Sequence, residues 1–287
     1  MPSQIDISII IVSYNCLEAL KSCLASLQSQ KDAVFEIIVV DNDSCDGSSD
    51  FIKTQNVTGI FPGKNLGYGA AINLAVRQAS GQYLYILNPD TTVPSGGIRA
   101  MADFADSHPG FGLISPLLIH PNGENQISAR EFPRRRDLVL GRGSPLYKLG
   151  LSSERQAGYI DNHGEKPLQV PAVSATAVII KTSIFLDMGG FDERFFMYME
   201  DVDLCYRLSQ RALAIWIVPP IKVIHGWRKS SSRRPYFTAF HHHLSVYKYF
   251  RKHNPNQRLR NLILAIILIM GYTLSVLIIK LKGSNPQ

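Results

Sequence analysis

Short apolar runs rich in β-branched residues alternate with segments of helical period along the first third of the chain. Runs of this kind predict strands, whereas apolar positions three or four residues apart predict helices. Strands that alternate with helices are typical of a mostly parallel central sheet flanked by helices, which is the α/β class. The predicted strands are Ile7–Ser13, Glu36–Asp41, Thr58–Phe61 and Tyr83–Leu87, and the predicted helices are Leu17–Gln28, Ser48–Thr54 and Gly69–Ala79.

The second half of the chain is less regular and ends in helices. Residues 122–166 show no sustained period and are predicted to form an irregular insertion over the ligand-binding edge of the sheet. Regular patterns then predict a strand-rich run over 170–180, helices over 181–188 and 201–212, strands over 215–218 and 223–225, and a helix over 236–252.

An apolar stretch without charges, Leu262–Ile279, lies near the C-terminus between pairs of basic residues. A helix of this length reaches roughly 27 Å at about 1.5 Å per residue, which is at the short limit for a bilayer. The pattern therefore predicts membrane attachment, and leaves open a single span or a helix lying in the interface; a buried core helix is the alternative.

The composition restricts the partners and the compartment. The chain has 30 Lys and Arg against 23 Asp and Glu, and the net charge of +7 favours anionic partners such as phosphates, nucleotides or an acidic membrane. Nucleic acid is disfavoured, because Arg134–Arg136 lack interleaved aromatic residues and no recognisable reading module is present. The four cysteines form no C-x-x-C pair and the first residues show no cleavable leader, so we expect a cytosolic catalytic part.

Polar triplets follow three of the predicted strands, namely Ser13-Tyr14-Asn15, Asp41-Asn42-Asp43 and Asn88-Pro89-Asp90. Since ligands of open α/β sheets bind at the carboxyl ends of the strands, these triplets are predicted to meet in one crevice. Asp41 and Asp43 offer acceptors for a nucleotide's base and ribose, although a turn that uses Asn and Asp is the alternative.

Two further features complete the predicted nucleotide and metal site. The loop from Asn65 to Gly69 leads into a helix of small residues, so its glycines would let the backbone approach a ligand. The lone carboxylate of Asp90 after an apolar strand fits a hard cation such as Mg²⁺ or Mn²⁺ bridging phosphates, with a solvated Asn-Pro turn as the alternative. The first strand is followed by neither a dinucleotide fingerprint nor a Gly-rich basic loop, which disfavours oxidoreductases and nucleotidyltransferases.

Three acids lie within four positions of an apolar and aromatic run: Glu200, Asp201 and Asp203. Capping a helix needs one acid, whereas neighbouring carboxylates raise each other's pKa and suit a general base. Asp201 is predicted to be that base, with Glu200 beside it. Farther along the chain, His225 is a candidate second metal ligand or phosphate contact. The basic residues predicted to clamp a diphosphate or an acceptor, unless they form a solvated face, are Arg228, Lys229 and Arg233.

These segments, taken in order over about residues 5–250, resemble the family 2 glycosyltransferases. The Asn-Pro-Asp triplet and the Phe-Met-Tyr-Met-Glu-Asp stretch resemble bacterial rhamnosyltransferases of cell-surface polysaccharide assembly. The resemblance implies a GT-A fold, a nucleotide-sugar donor, a divalent metal and inversion by direct displacement, with Asp201 deprotonating the acceptor hydroxyl. Asp90 matches the last acid of the family's Asp-x-Asp motif while Asn88 departs from the first, which favours His225 as a ligand. The segments are residues 8–15, 39–48, 65–69, 87–90, 189–193 and 200–207, with His225.

The same resemblance implies a domain plan and substrates. We expect a GT-A domain over 1–235, with a nucleotide-binding half at about 1–120 and an acceptor half at about 121–235, followed by C-terminal helices over 236–287. The donor implied first is dTDP-rhamnose, with UDP-galactofuranose and UDP-N-acetylglucosamine as alternatives. The expected acceptor is polyprenyl-diphosphate-linked N-acetylglucosamine or another polysaccharide precursor at the cytoplasmic face of the plasma membrane. A non-catalytic sugar-binding scaffold is the alternative from another class.

Overall fold

The computed structural model describes residues 6–135, 137, 158–160, 164–226 and 234–283. Its strands are β1 (Ile7–Ser13), β2 (Phe35–Asp41), β3 (Thr58–Ile60), β4 (Tyr83–Leu87), β5 (Thr91–Thr92), β6 (Phe111–Ile119), β7 (Ala129–Arg130), β8 (Tyr159–Ile160), β9 (Leu168–Gln169), β10 (Ala172–Val173), β11 (Ala177–Lys181) and β12 (Ala214–His225). Its helices are α1 (Leu17–Gln28), α2 (Ser48–Lys53), α3 (Tyr68–Val76), α4 (Gly97–Ser107), α5 (Thr182–Asp187), α6 (Glu200–Ser209), α7 (Pro235–His253) and α8 (Arg258–Gly283).

One large sheet has the strand order β3-β2-β1-β4-β11-β6-β12-β5, and β9 pairs with β12 outside this path. Strands β3, β2, β1 and β4 are parallel, as predicted, because helices or loops return the chain between them. Strand β11 is antiparallel to both β4 and β6, so the second half of the sheet is mixed. The parallel half aligns Ser13 with Asp41 and therefore gathers the polar strand ends at one edge.

The central sheet is buried on both faces. Every residue of β1 is buried, and its side chains alternate between two hydrophobic clusters, since successive residues of a strand point to opposite faces. Helices α1 and α4 cover one face, whereas α3, α5 and α6 cover the other. This layering explains why the strand runs of the sequence are continuously apolar rather than alternating.

Helix α4 and strand β6 are the longest described elements that the sequence analysis did not assign. Helix α4 buries Ile98, Met101, Ala102 and Ala105, a spacing of three and four residues that marks a helical face. Strand β6 is buried at all but its last position and pairs with β12. Of the predicted insertion over 122–166, residues 122–135, 137, 158–160 and 164–166 are described, and β7 and β8 belong with β10 to a small second sheet.

The two C-terminal helices pack against the loop that precedes α6. Val246, Tyr249 and Phe250 of α7 form one cluster with Leu264 and Leu268 of α8. The same cluster includes residues Phe195, Met199 and Val202 from the α6 region. Residues Arg258–Leu281 are long and apolar enough to cross a membrane, with a mean hydropathy of 2.8 over the most apolar window, of which 11% is buried. The chain thus carries an apolar helix next to the predicted catalytic acids.

Candidate active site

The end of β2 holds a buried carboxylate with one oxygen unused. Asp41 is 3% exposed, and its Oδ2 accepts a hydrogen bond from the Ser49 hydroxyl. Its Oδ1 is buried and has no partner among the described residues. Because a buried oxygen without a donor is costly, this atom fits an N–H or O–H of a bound nucleoside. Asp43, two residues on, is exposed and has a positive φ of 73°.

Asn42, the middle residue of the triplet after β2, holds the predicted loop residue Asn65. The Asn42 amide donates to Asn65 Oδ1 at 3.0 Å and accepts from the Leu66 N–H at 2.8 Å. The Gly67 N–H also donates to Asn65 Oδ1, at 2.9 Å. Asn65 therefore shapes the loop that leads into α3, and its predicted contact with a nucleotide stays a prediction.

The triplet after β1 has three different environments. Ser13 is fully buried, and the Asn15 side chain accepts the Cys45 N–H at 2.8 Å, which joins the first two strand-end loops. Asn15 adopts a φ of 51°, a left-handed conformation that Asn tolerates. The Tyr14 ring is half-buried and lies 5.6 Å from the Arg234 guanidinium. Tyr14 is thus the member of the triplet placed beside a basic side chain.

Strand pairing brings together Asp90 and His225, which are far apart in the sequence. Thr91 of β5 pairs with His225 of β12, and the Gly226 N–H donates to the Asp90 carbonyl at 2.8 Å. As a result, His225 Nε2 lies 3.3 Å from Asp90 Oδ1, and both side chains are nearly buried. The structure therefore brings together the two residues predicted to hold a metal.

Gln126 fixes the orientation of the His225 ring. The Gln126 Nε2 donates to the His225 carbonyl at 2.8 Å, so its Oε1 must accept from His225 Nδ1, which lies 2.8 Å away. The other ring nitrogen, Nε2, therefore faces the Asp90 carboxylate. A hydrogen bond to Nδ1 is the usual support of a metal-binding imidazole.

Asp90 and His225 fit a divalent cation whose remaining ligands are phosphate oxygens and water. Within the described ranges, no group of three or more His, Cys, Asp or Glu side chains could hold a metal. Mg²⁺ is usually bound through one or two protein ligands together with phosphates and water, so two ligands suffice when a diphosphate is bound. The Asn88 N–H donates to the Thr176 carbonyl at 2.8 Å, which positions the turn that carries Asp90.

The acids Glu200 and Asp201 form the first turn of α6. The two preceding residues, Tyr198 and Met199, have φ values of 67° and 69°, which are uncommon for residues other than Gly. This turn places Glu200 in the interior at 7% exposure, and its Oε2 has no hydrogen-bond partner among the residues described. Asp201 Oδ1 accepts the Val202 N–H at 2.8 Å.

The two acids differ in how well each tolerates a negative charge. Burial raises the pKa of Glu200 well above its usual range, and the charge of Asp201 raises it further. Burial also raises the pKa of Asp201, but the Val202 N–H and the charge of Arg130 oppose that rise. These effects favour a proton on Glu200 and a negative charge on Asp201. Sequence reasoning did not select Arg130, which lies far from α6 in the chain.

Tyr68 connects the two halves of the site, although the sequence analysis named only its glycine neighbours. Its hydroxyl donates to the Ala175 carbonyl at 2.9 Å. Burial raises the pKa of Tyr68 well above its usual range, and three carboxylates within electrostatic reach add to the shift: Glu200, Asp201 and Asp90. The predicted base and the predicted metal ligand therefore share one neighbour.

Glycines on both sides of Tyr68 permit this close packing. A Cβ on Gly67 would lie 2.4 Å from the Phe196 carbonyl oxygen, which also accepts the Tyr68 N–H at 3.0 Å. A Cβ on Gly69 would lie 2.9 Å from the Phe191 Cβ and 3.7 Å from the Glu200 Cβ. Gly69 thus lies against the acidic pair, rather than serving only as a flexible loop residue. An aromatic residue between two glycines at a helix start was the available sequence signal.

Comparisons with known proteins identify the family of a chain with this site. The profile described as Glycosyl transferase family 2 matches residues 8–164, more than half of the chain. The chain belongs to the family 2 glycosyltransferases. This glycosyltransferase is 32% identical over 256 residues to an N-acetylglucosaminyl-diphospho-decaprenol L-rhamnosyltransferase of Mycobacterium tuberculosis, with coverage of 83% of this chain and 82% of that protein. It is 27% identical to rhamnosyltransferase WbbL of Escherichia coli K12, over 85% of this chain and 92% of the relative.

Solved structures share the fold of this glycosyltransferase. GalNAc-T7 with UDP, GalNAc and Mn²⁺ has a TM-score of 0.59 at 15% identity, covering 80% of this chain and 45% of that one. Residues 1–349 of TarS from S. aureus, in complex with UDP-GlcNAc, have a TM-score of 0.57 at 18% identity, covering 86% and 67%. The predicted α/β fold of GT-A type is confirmed. The predicted basic clamp of Arg228, Lys229 and Arg233 lies outside the described residues.

The third acid of the acidic run, Asp203, stabilises the packing of α6 against α7. It is fully buried and contacts Lys252 at 2.5 Å, His253 at 2.8 Å and Arg207 at 2.8 Å. Although burial raises the pKa of Asp203, hydrogen bonds from His253 and Lys252 and the charge of Arg207 bring it below its usual value. Lys252 also contacts Asp192 at 2.7 Å, so α7 is tied to both α6 and the loop before it.

Replacing Lys252 with Met is expected to lower the free energy of unfolding by about 1.5–3 kcal/mol, because a hydrogen bond to a buried charge is lost. Since the folded pKa of Asp203 is depressed, this contribution is present above its unfolded pKa and is lost as pH falls through the folded pKa. Urea unfolding in detergent at pH 7 and pH 3 measures the difference. Lys21→Met, which breaks an exposed pair with Glu18, is the control and should cost less than about 1 kcal/mol. Equal losses in both variants would contradict the role of the Lys252 contacts.

Proposed function

We propose that this glycosyltransferase moves L-rhamnose from dTDP-rhamnose to polyprenyl-diphosphate-linked N-acetylglucosamine, with inversion, in cell-surface polysaccharide synthesis. The observation that carries the catalytic part is the buried pair of adjacent acids, Glu200 and Asp201, whose charges act on Tyr68 together with that of Asp90. The choice of sugar and acceptor is supported by the names of relatives that cover most of this chain, the L-rhamnosyltransferase of M. tuberculosis and WbbL.

Asp201 acts as the general base in this proposal. Its carboxylate removes the proton of the acceptor hydroxyl as that oxygen attacks the anomeric carbon, and the nucleoside diphosphate leaves from the opposite face. Glu200 retains its proton, so that the pair carries one negative charge, and burial raises the pKa of Asp201 and so makes it a stronger base. The N-terminus of α6 favours the charge on Asp201 before the transfer.

Asp90 and His225 would hold Mg²⁺ or Mn²⁺. When bound, the cation neutralises negative charge that develops on the leaving diphosphate. Gln126 accepts the Nδ1 hydrogen of His225 and so presents Nε2 to the cation. On the donor side, Asp41 accepts a hydrogen bond from the nucleoside, while Ser13, Tyr14, Asn15, Asp43, Asn65, Gly69 and Asn88 complete the proposed nucleotide-binding set.

Helix α8 attaches the enzyme to the cytoplasmic face of the plasma membrane. One face of α8 packs on α7 through Leu264 and Leu268, whereas most of its other apolar side chains are exposed. Arg258 and Arg260 at its start suit the anionic surface of the cytoplasmic leaflet. A lipid-linked acceptor would then diffuse in the same plane as the catalytic acids.

A donor panel with the purified full chain in detergent tests the proposal. The reactions contain Mn²⁺, polyprenyl-diphosphate N-acetylglucosamine and one of dTDP-rhamnose, UDP-galactofuranose or UDP-N-acetylglucosamine, and release of nucleoside diphosphate is measured. We expect acceptor-dependent release from dTDP-rhamnose alone. Release from another donor would overturn the choice of sugar and preserve the mechanism, whereas acceptor-independent or absent release from every donor would contradict the proposed acceptor.

A further inference from the structure

A row of aromatic side chains runs from the catalytic loop to α8. The Phe196 ring lies 5.5 Å from that of Phe237 and 4.5 Å from that of His241, centroid to centroid. Phe240, one helical turn after Phe237, lies 5.8 Å from Tyr272 of α8. We call these five residues the aromatic row. It links α7, α8 and the loop that precedes α6.

The near end of the row reaches the catalytic centre through the backbone. The Phe196 carbonyl accepts the Tyr68 N–H at 3.0 Å, and Phe196 lies four residues before Glu200. Tyr68 is the residue within electrostatic reach of both acids of the pair. Two residues after Phe196, the Tyr198 ring lies 5.5 Å from that of His242 on α7. The row thus begins at the loop that positions the proposed base.

The far end of the row meets the exposed face of α8. Phe237 is 38% exposed and Phe240 is 46% exposed, which is unusual for neighbouring aromatic residues on one helical face. On α8, the exposed apolar side chains recur with helical spacing: Leu259, Leu262, Ile263, Ile266, Ile267, Ile269, Met270, Leu274, Leu277 and Leu281. Continuous exposed apolar surface of this kind marks a site for an apolar ligand, a partner or a membrane.

The row carries no fixed charge. Burial lowers the pKa of His241, and Lys248 lowers it further, so that the imidazole is neutral between Phe196 and Phe237. The His241 Nδ1 is buried and has no hydrogen-bond partner within the described part of the chain. An uncharged hydrocarbon chain can cover this surface without desolvating an ion.

We propose that the aromatic row binds the isoprenoid tail of the lipid-linked acceptor and leads it from the catalytic loop to the apolar face of α8. This inference rests on the proposed lipid-linked acceptor, and it names the part of the acceptor that the row recognises. The diphosphate and sugar would then lie beside Asp201, while the first isoprene units contact Phe237 and Phe240. The enzyme would select its acceptor by the tail as well as by the sugar.

Two acceptors that differ only in the tail test this proposal. One carries N-acetylglucosamine diphosphate on undecaprenol and the other carries a methyl group in place of the isoprenoid chain, and kcat/KM is measured for both with the full chain in detergent. The wild-type protein should prefer the long tail. In the double variant Phe237→Ser/Phe240→Ser, that preference should fall at least about tenfold, because several buried methylene groups lose their contacts. Phe240→Leu, which keeps an apolar side chain, should retain most of the preference.

The controls separate tail recognition from other effects. Leu186→Ser changes a side chain that is 59% exposed on α5, away from the row, and should leave the preference unchanged. Flotation with phosphatidylethanolamine and phosphatidylglycerol vesicles should be the same for the double variant and the wild-type protein. A parallel loss of flotation and long-tail activity would make the row a bilayer anchor and overturn the proposal. A wild-type enzyme that uses both acceptors equally would also overturn it while the proposed function stands; no transfer to either acceptor would instead refute the proposed function.

Discussion

Asp201→Asn is expected to lower kcat by about 10²–10⁴-fold while donor binding changes little, because a neutral amide cannot take the acceptor proton. The structure places this carboxylate in the first turn of α6, where Arg130 and the Val202 N–H favour its charged form. In the wild-type enzyme, activity should fall as pH drops through the raised pKa of Asp201, since protonation removes the base. Steady-state transfer rates across pH, together with calorimetric binding of the nucleotide, measure both effects.

Glu200→Gln is the matched control for Asp201→Asn. If Glu200 holds the shared proton, glutamine reproduces its neutral state and should lower kcat less than about tenfold, far below the effect expected for loss of a general base. The two variants sit at adjacent positions and remove the same kind of group, so general disturbance of α6 would affect both alike. A large loss in Glu200→Gln with near-normal turnover in Asp201→Asn would exchange the two roles.

Asp90→Asn is expected to lower kcat/KM by about 10²-fold or more, because the protein loses its carboxylate ligand and with it a cation worth several kcal/mol to the departing diphosphate. Electron paramagnetic resonance measures Mn²⁺ binding to the full chain in the presence of nucleoside diphosphate. This binding should be weaker in Asp90→Asn than in the wild-type protein. This readout does not depend on turnover. Wild-type activity that is insensitive to chelation, with normal turnover in Asp90→Asn, would contradict the proposed metal site.

Gln126→Leu provides a graded comparison for the metal site. Gln126 contacts His225 and holds its tautomer, so its loss should raise the Mn²⁺ concentration needed for half-maximal activity by about 10–100-fold. Saturating Mn²⁺ should restore most of kcat in Gln126→Leu but not in Asp90→Asn. Similar, unrecoverable losses in both variants would indicate a folding defect at the end of β12 instead of a metal effect.

Residues at strand ends could be selected from the sequence because their position is a local property. An apolar run followed by Asp41 or by Asn88-Pro89-Asp90 indicates a strand and its polar end without knowledge of the fold. The use that the protein makes of each residue depends on neighbours distant in the chain. Asn65 is engaged by Asn42, whereas one oxygen of Asp41 has no partner among the described residues; no sequence pattern distinguishes these two outcomes.

The residues missed by sequence reasoning act through long-range contacts. Gln126 lies in a segment without regular pattern, yet it meets His225 once β6 and β12 pair. Tyr68 was passed over for its glycine neighbours, and Arg130 belongs to a strand of two residues that has no detectable period. The role of Asp203 was hidden because two of its three partners, Lys252 and His253, come from α7, about fifty residues later.

By itself, the sequence determined the class of fold, the alternation of strands and helices in the first half, the apolar C-terminal helix and the acids from which the site is built. These properties follow from periodicity and residue chemistry, which act over a few positions. Only the tertiary structure decided that Glu200 is buried with one unpartnered oxygen while Asp201 accepts the Val202 N–H, that His225 faces Asp90, and that Asp203 pairs with basic residues of α7. Such outcomes depend on burial and on partners brought together by strand pairing and helix packing, and those quantities exist only once the chain is folded.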